Sequence, residues 1–145
     1  MQFILIDKIL ELNKGSDITA IKTLSIAEEY LKDHFPRFPV MPGVLMLEGL
    51  FQSSAWLVRE SEDFAHSMII MKEARNTKYA GFVSPGQTLT IRATILKQDE
   101  TTTTLKARGS MTEGMLQKDE VAARDETEIT RPPTVPSDSE FIQPK

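Results

Sequence analysis

The chain has 145 residues, 17 of them Lys or Arg and 21 Asp or Glu, for a formal net charge of -4. That length fits one domain, and 40% hydrophobic residues supply a core and exclude wholesale disorder. No cysteine is present, which excludes disulfides, thiolate zinc sites, iron–sulfur clusters and a cysteine nucleophile.

Taken in chain order, residues 3–12 are rich in Ile and Leu and form a strand or a short helix. Asn13-Lys14-Gly15-Ser16 is a turn signal, and Ile18, Ala20, Ile21 and Leu24 follow in a strand pattern, so a hairpin is expected. Ser25 with Glu28 three residues later has the capping-box spacing and predicts a short helical turn. Pro36 and Pro39 stop it. Pro42-Gly43 opens the best helix, over residues 44–59, whose apolar residues cover most of its circumference and predict burial. Glu48 and Gln52, four apart, are polar exceptions on one face. Strands are expected over 66–74, 87–98 and 101–111, the last two separated by Asp99-Glu100. The order β-β-helix-β-β-β, with consecutive hairpin strands after the helix, predicts an α+β fold with the helix against one antiparallel sheet. Beyond Met111 the pattern fails: a strand over 115–123 and a helix fit equally well.

Residues 1–110 carry 13 basic and 13 acidic side chains, and residues 111–145 carry 4 and 8. The body has no basic stripe, which argues against nucleic acid as a partner. The domain is expected over 1–125, with 126–145 an acidic, Pro-rich, disordered tail. No apolar run reaches the ~18 residues of a membrane span. The N-terminal stretch lacks the basic region and cleavage site of a signal peptide, so a cytoplasmic chain is expected. Two histidines without an HExxH arrangement cannot build a His-rich metal site.

Residues 33–52 read DHFPRFPVMPGVLMLEGLFQ. A histidine stands in a proline-stiffened loop, and fourteen residues later a glutamate lies on a mostly apolar helix. Imidazole titrates at ~6.5 and serves as a base near neutral pH. A carboxyl in an apolar setting is pushed toward its neutral, proton-donating form. A glycine at a helix start exposes backbone N–H groups that can hold a carbonyl oxygen or oxyanion. An acid, a base and a carbonyl-polarising N–H are the parts needed to remove water from a 3-hydroxyacyl thioester.

These residues, His34-Phe35-Pro36, Pro39, Pro42-Gly43-Val44-Leu45, Glu48 and then Gln52, resemble the 3-hydroxyacyl-[acyl-carrier-protein] dehydratases of fatty acid biosynthesis, through the pattern HFPxxPxxPGVLxxE. Lys72-Glu73-Ala74-Arg75 and Val83-Ser84-Pro85-Gly86 extend the resemblance, which spans about residues 3–110. It implies a hotdog fold, an antiparallel sheet wrapped around a long central helix. It also implies a homodimer or trimer of dimers, with the histidine and glutamate of one site on different subunits. The substrate it implies is a (3R)-3-hydroxyacyl group on the phosphopantetheine arm of acyl carrier protein, with no metal or cofactor. Carried over, His34 is the base, Glu48 the acid and Gly43 the thioester-carbonyl donor; Gln52 orients Glu48, and Phe35 and Val44 line the substrate site. Two further readings stay open: an acyl thioesterase on the same fold, and a catalytically silent acyl- or carrier-binding protein. The chain departs from the family at Asp33 and Arg37, where glycine is usual, at Trp56, read as core filling, and in the polar stretch where a closing strand is usual. His66 is read as structural.

Overall fold

The computed structural model describes residues 3–113 and 116–130. The elements are β1 (Lys8–Asn13), β2 (Asp17–Thr23), a short 3-10 turn (Glu29–Lys32), α1 (Gly43–Ser61), β3 (Ile70–Tyr79), β4 (Thr88–Gln98), β5 (Thr102–Glu113) and β6 (Leu116–Thr130). All six strands join one antiparallel sheet in the order β1-β2-β4-β5-β6-β3. A single long helix held in that sheet is the α+β hotdog arrangement that the resemblance implies.

The expected β1–β2 hairpin forms at Asn13-Lys14-Gly15-Ser16, where the Ser16 N–H donates to Asn13 O at 3.0 Å. The alternation in β2 then sends Ile18 and Ala20 to the inner face. In β4 the same period buries Leu89, Ile91 and Ala93, and in β5 it buries Leu105, Ala107 and Met111. Register pairs them across the sheet: Ala20 opposite Ile91, Ala93 opposite Ala107, Leu89 opposite Met111. Met46, Leu50, Leu57 and Val58 of α1 fill the concave side. Two serines sit in that same buried face. Their hydroxyls are satisfied within the helix, Ser53 Oγ donating to Gly49 O at 3.0 Å and Ser54 Oγ to Leu50 O at 2.9 Å.

The helix is less wrapped than its composition predicts. Val44, Glu48, Gln52 and Trp56 recur every four residues and form one stripe that this sheet leaves uncovered or half covered. Trp56 therefore does not fill the core. It is 41% exposed, with Phe64 edge-on at 6.4 Å and the Arg59 guanidinium 5.8 Å from its ring. The helix ends where Asp63 and Phe64 take positive φ and the Phe64 N–H bonds Arg59 O at 2.8 Å, the reversal that usually recruits glycine.

Two local expectations are corrected, and one left open between strand and helix is decided. Ser25 does not enter a capping box with Glu28: its hydroxyl accepts from the Ala27 N–H, while Glu28 pairs with Lys22. After the helix, β4, β5 and β6 are the expected consecutive neighbours, but β3 does not join β4: it crosses the sheet to pair with β6 at the far edge. The polar segment after Met111 is a strand, β6, bonded on both sides between β5 and β3. It runs on to Thr130, past the domain end expected at residue 125. Ile129, fully buried opposite Met71 and Thr103, anchors its last turn of the ladder. The rest of the expected tail lies outside the described residues.

Lys22 shares the inward side of β2 yet carries a charge, 6% exposed. Its Nζ donates to Glu28 at 2.8 Å and to Asp7 at 3.3 Å. Burial alone would lower its pKa. The bond to Glu28 and the charges of Asp7 and Glu28 outweigh that and hold it above the ordinary 10.5. Nearby Tyr30, its hydroxyl buried, is likewise pushed up, by desolvation first and then by the Glu28 charge. Both groups keep their protons more tightly folded than unfolded, so their contribution is complete below about pH 10 and is lost as pH rises beyond it. Replacing Lys22 with Met therefore flattens the alkaline fall in unfolding free energy, read from urea titrations between pH 8 and 11; an unchanged slope would contradict the assignment. In the apolar core, Leu50→Ala costs about 2–5 kcal/mol in the same measurement, and a loss under about 1 kcal/mol would contradict the packing described.

Candidate active site

The loop that carries His34 is built by local rules. After the 3-10 turn, Phe35 takes a positive φ of 55° and Pro36 follows. The Phe38 N–H closes residues 35–38 onto Phe35 O at 2.8 Å. The chain then runs extended into the core, where Val40 and Met41 are buried. The Met41 N–H bonds Val83 O at 2.8 Å. Val83 opens the Val83-Ser84-Pro85-Gly86 turn, which is itself docked on the residue that follows β2, through Gly86 N–H to Leu24 O at 2.8 Å. Gly86 has φ 90°, a conformation that suits a residue without a Cβ. The second motif of the family resemblance thus holds the first in place.

His34 is half-buried, with Phe35 edge-on to its ring at 4.6 Å. Its Nδ1 lies 2.8 Å from Val40 O. A carbonyl oxygen only accepts, so Nδ1 carries the hydrogen and, in the neutral ring, Nε2 keeps its lone pair. The base-competent nitrogen is therefore Nε2, which makes no hydrogen bond among the described residues.

Gly43 is the first residue of α1, after Pro42. The Leu45 and Met46 N–H groups turn back to Pro42 O at 3.0 and 3.1 Å. The Gly43 and Val44 N–H groups, as at any helix start, have no intrahelical acceptor. Both point the positive end of the helix dipole toward whatever lies before it. The Tyr79 ring lies over Gly43 so closely that a Cβ there would sit 3.3 Å from two of its carbons. Val44, next along, is 68% exposed.

Glu48 lies in the second turn of α1, half-buried on the uncovered stripe. Its Oε1 accepts from Gln52 Nε2 at 3.2 Å. Gln52 has two further bonds: its Oε1 accepts from the Leu5 N–H at 2.9 Å, and its Nε2 donates to Phe3 O at 2.8 Å. Gln52 also borders a groove of about 320 Å³ between residues 3–4 and Phe51, Ala55, Trp56 and Arg59.

The structure thus joins Glu48 with Gln52, His34 with Phe35, and Gly43 with Val44. No hydrogen bond links His34 to Glu48 within the chain, among the described residues. Sequence reasoning missed Val40 and Tyr79. Val40 acts through a backbone carbonyl, which no side-chain pattern marks, and Tyr79 reaches Gly43 only through the sheet crossing of β3. Asp33 and Arg37 are both exposed. His66 pairs with Glu62 one turn earlier, 3.6 Å apart, at the end of α1.

A FabA-like domain model matches residues 1–120. The 3-hydroxyacyl-[acyl-carrier-protein] dehydratase FabZ of Wolbachia pipientis wMel is 38% identical over 93 residues, 64% of this chain and 65% of that protein. The FabZ of Ruminiclostridium cellulolyticum is 35% identical over 109 residues, 75% of this chain and 77% of that protein. Among solved structures, the dehydratase heterocomplex ApeI:P from Xenorhabdus doucetiae superposes with a TM-score of 0.65. It covers 86% of this chain and 97% of that one, at 15% identity, and so speaks to the fold alone. With the family model spanning most of the chain, and with the FabZ identities and the hotdog sheet in agreement, this chain belongs to the FabZ-like family of 3-hydroxyacyl-[acyl-carrier-protein] dehydratases.

Proposed function

We propose that the chain converts (3R)-3-hydroxyacyl-acyl-carrier-protein to the trans-2-enoyl thioester in fatty acid biosynthesis, with His34 as base and Glu48 as acid. The observation that carries this reading is the His34 tautomer: Nδ1 is committed to Val40 O, and Nε2 is left as an unoccupied acceptor. His34 Nε2 takes the proton between the thioester carbonyl and the hydroxyl-bearing carbon. The electrons move toward the carbonyl oxygen, which receives the Gly43 N–H at the start of α1. Glu48 gives its proton to the departing hydroxyl, which leaves as water as the double bond forms. Proton transfer by a placed side chain contributes roughly 10²–10⁴-fold, and one oxyanion donor roughly 10²–10³-fold. No further group is needed for the charge to balance.

The site is assembled from two copies, His34 of one chain facing Glu48 of the other. The lack of a hydrogen bond between them in one chain supports this, as does the uncovered stripe of α1. Phe35 and Phe38, both exposed, give the loop an apolar face suited to an acyl chain or a second subunit. The substrate arrives on the phosphopantetheine arm of acyl carrier protein, in the cytoplasm; among the described residues no helix is long and apolar enough to cross a membrane. The working domain closes with β6, and the remaining tail plays no part in turnover.

The test is a coupled assay with 3-hydroxyacyl-acyl-carrier-protein that follows enoyl product and free thiol together. His34→Ala and Glu48→Ala each lower kcat by about 10²-fold or more while circular dichroism stays unchanged. Near-full turnover by either variant refutes the role given to it, and free thiol without enoyl product makes the chain a thioesterase. Truncation after Thr130 leaves kcat unchanged; a large loss would place the tail in the site.

A further inference from the structure

The amide of Gln52 is held from outside its helix, by main-chain groups 47 and 49 residues away. Leu5 N–H can only donate, so the atom facing it is Gln52 Oε1. Phe3 C=O can only accept, so the atom facing it is Nε2. The amide therefore has one orientation: turning it over would set donor against donor and acceptor against acceptor. Leu5 pins the segment, its side chain 1% exposed in the core. The Asp7 N–H then continues it by bonding Ile21 O at 2.8 Å.

The second hydrogen on Nε2 points to Glu48 Oε1 at 3.2 Å. The C=O oxygen of a carboxyl accepts more strongly than its O–H oxygen, so this donor favours the form with the proton on Oε2. No ion pair reaches Glu48 among the described residues, and the titratable group set opposite it in the proposed site is His34. We infer that the main chain of residues 3–5 is a positioning element of the site: through Gln52 it fixes which oxygen of Glu48 carries and delivers the proton. This rests on the assignment of Glu48 as the acid. It extends that assignment to a segment that precedes the first strand and touches no reacting atom.

The full chain is assayed with 3-hydroxyacyl-acyl-carrier-protein in three forms. In the first, Gln52→Met removes all three bonds. In the second, an amide-to-ester replacement at residue 5 removes only the Leu5 N–H and keeps the buried leucine side chain. The third, Glu48→Gln, is the control. The first two lower kcat about tenfold or more, the scale of a displaced catalytic group. KM stays within about twofold, since ground-state binding is untouched. If Glu48→Gln abolishes turnover but the ester variant keeps kcat, or changes only KM or thermal stability, the segment is merely structural and the inference is overturned. If Glu48→Gln itself retains turnover, the acid assignment has failed and the inference falls with it.

Discussion

Burial of one long helix in one antiparallel sheet is the constraint from which the rest of the molecule follows. Leu50, Leu57 and Val58 of α1 have no exposure, and neither have Ile18, Ala20, Leu89, Ile91 and Leu105 of the sheet beneath them. Burying side chains of this kind stabilises by roughly 1.5–3 kcal/mol each. A helix fixed so firmly has a fixed start and a fixed outer stripe. Its start presents the Gly43 N–H, and its stripe presents Glu48 and Gln52. The fold thus places two polar functions on an element whose stability owes nothing to them.

The polar chemistry is organised by backbone groups. Val40 O sets the tautomer of His34, and the main chain of Phe3 and Leu5 sets the amide of Gln52. A side chain oriented by main-chain atoms depends on the position of a segment and not on a second side chain. Such positions are costly to disturb, because the segments involved are anchored by buried leucine, valine and methionine side chains. The Val83-Ser84-Pro85-Gly86 turn belongs to the same scheme: it touches no reacting group, yet it holds the residue after Val40.

What could be read from the sequence was what local pattern encodes. The helical period over residues 44–59 located α1, and the alternation at Ile18 and Ala20 and at Leu89, Ile91 and Ala93 located β2 and β4. The HFPxxPxxPGVLxxE spacing brought the family into view. Sheet order was not legible, because nothing in residues 70–79 specifies that β3 pairs with β6 rather than β4. The nature of β6 was hidden by its polar composition; its backbone is bonded on both sides, and that pairing makes it a strand. Trp56 was misread because an apolar residue on a mostly apolar helix looks like core, while the four-residue stripe it shares with Glu48 faces away from the sheet. The roles of Val40, Phe3 and Leu5 belong to carbonyl and amide groups, which every residue type carries.

In the proposed site His34 and Glu48 act together across two copies of the chain. The most direct test mixes His34→Ala and Glu48→Ala chains, each inactive alone, under conditions that exchange subunits. Turnover of 3-hydroxyacyl-acyl-carrier-protein is expected to reappear, since a mixed pair rebuilds one site with both residues intact. A mixture that exchanges subunits yet stays inactive would contradict it.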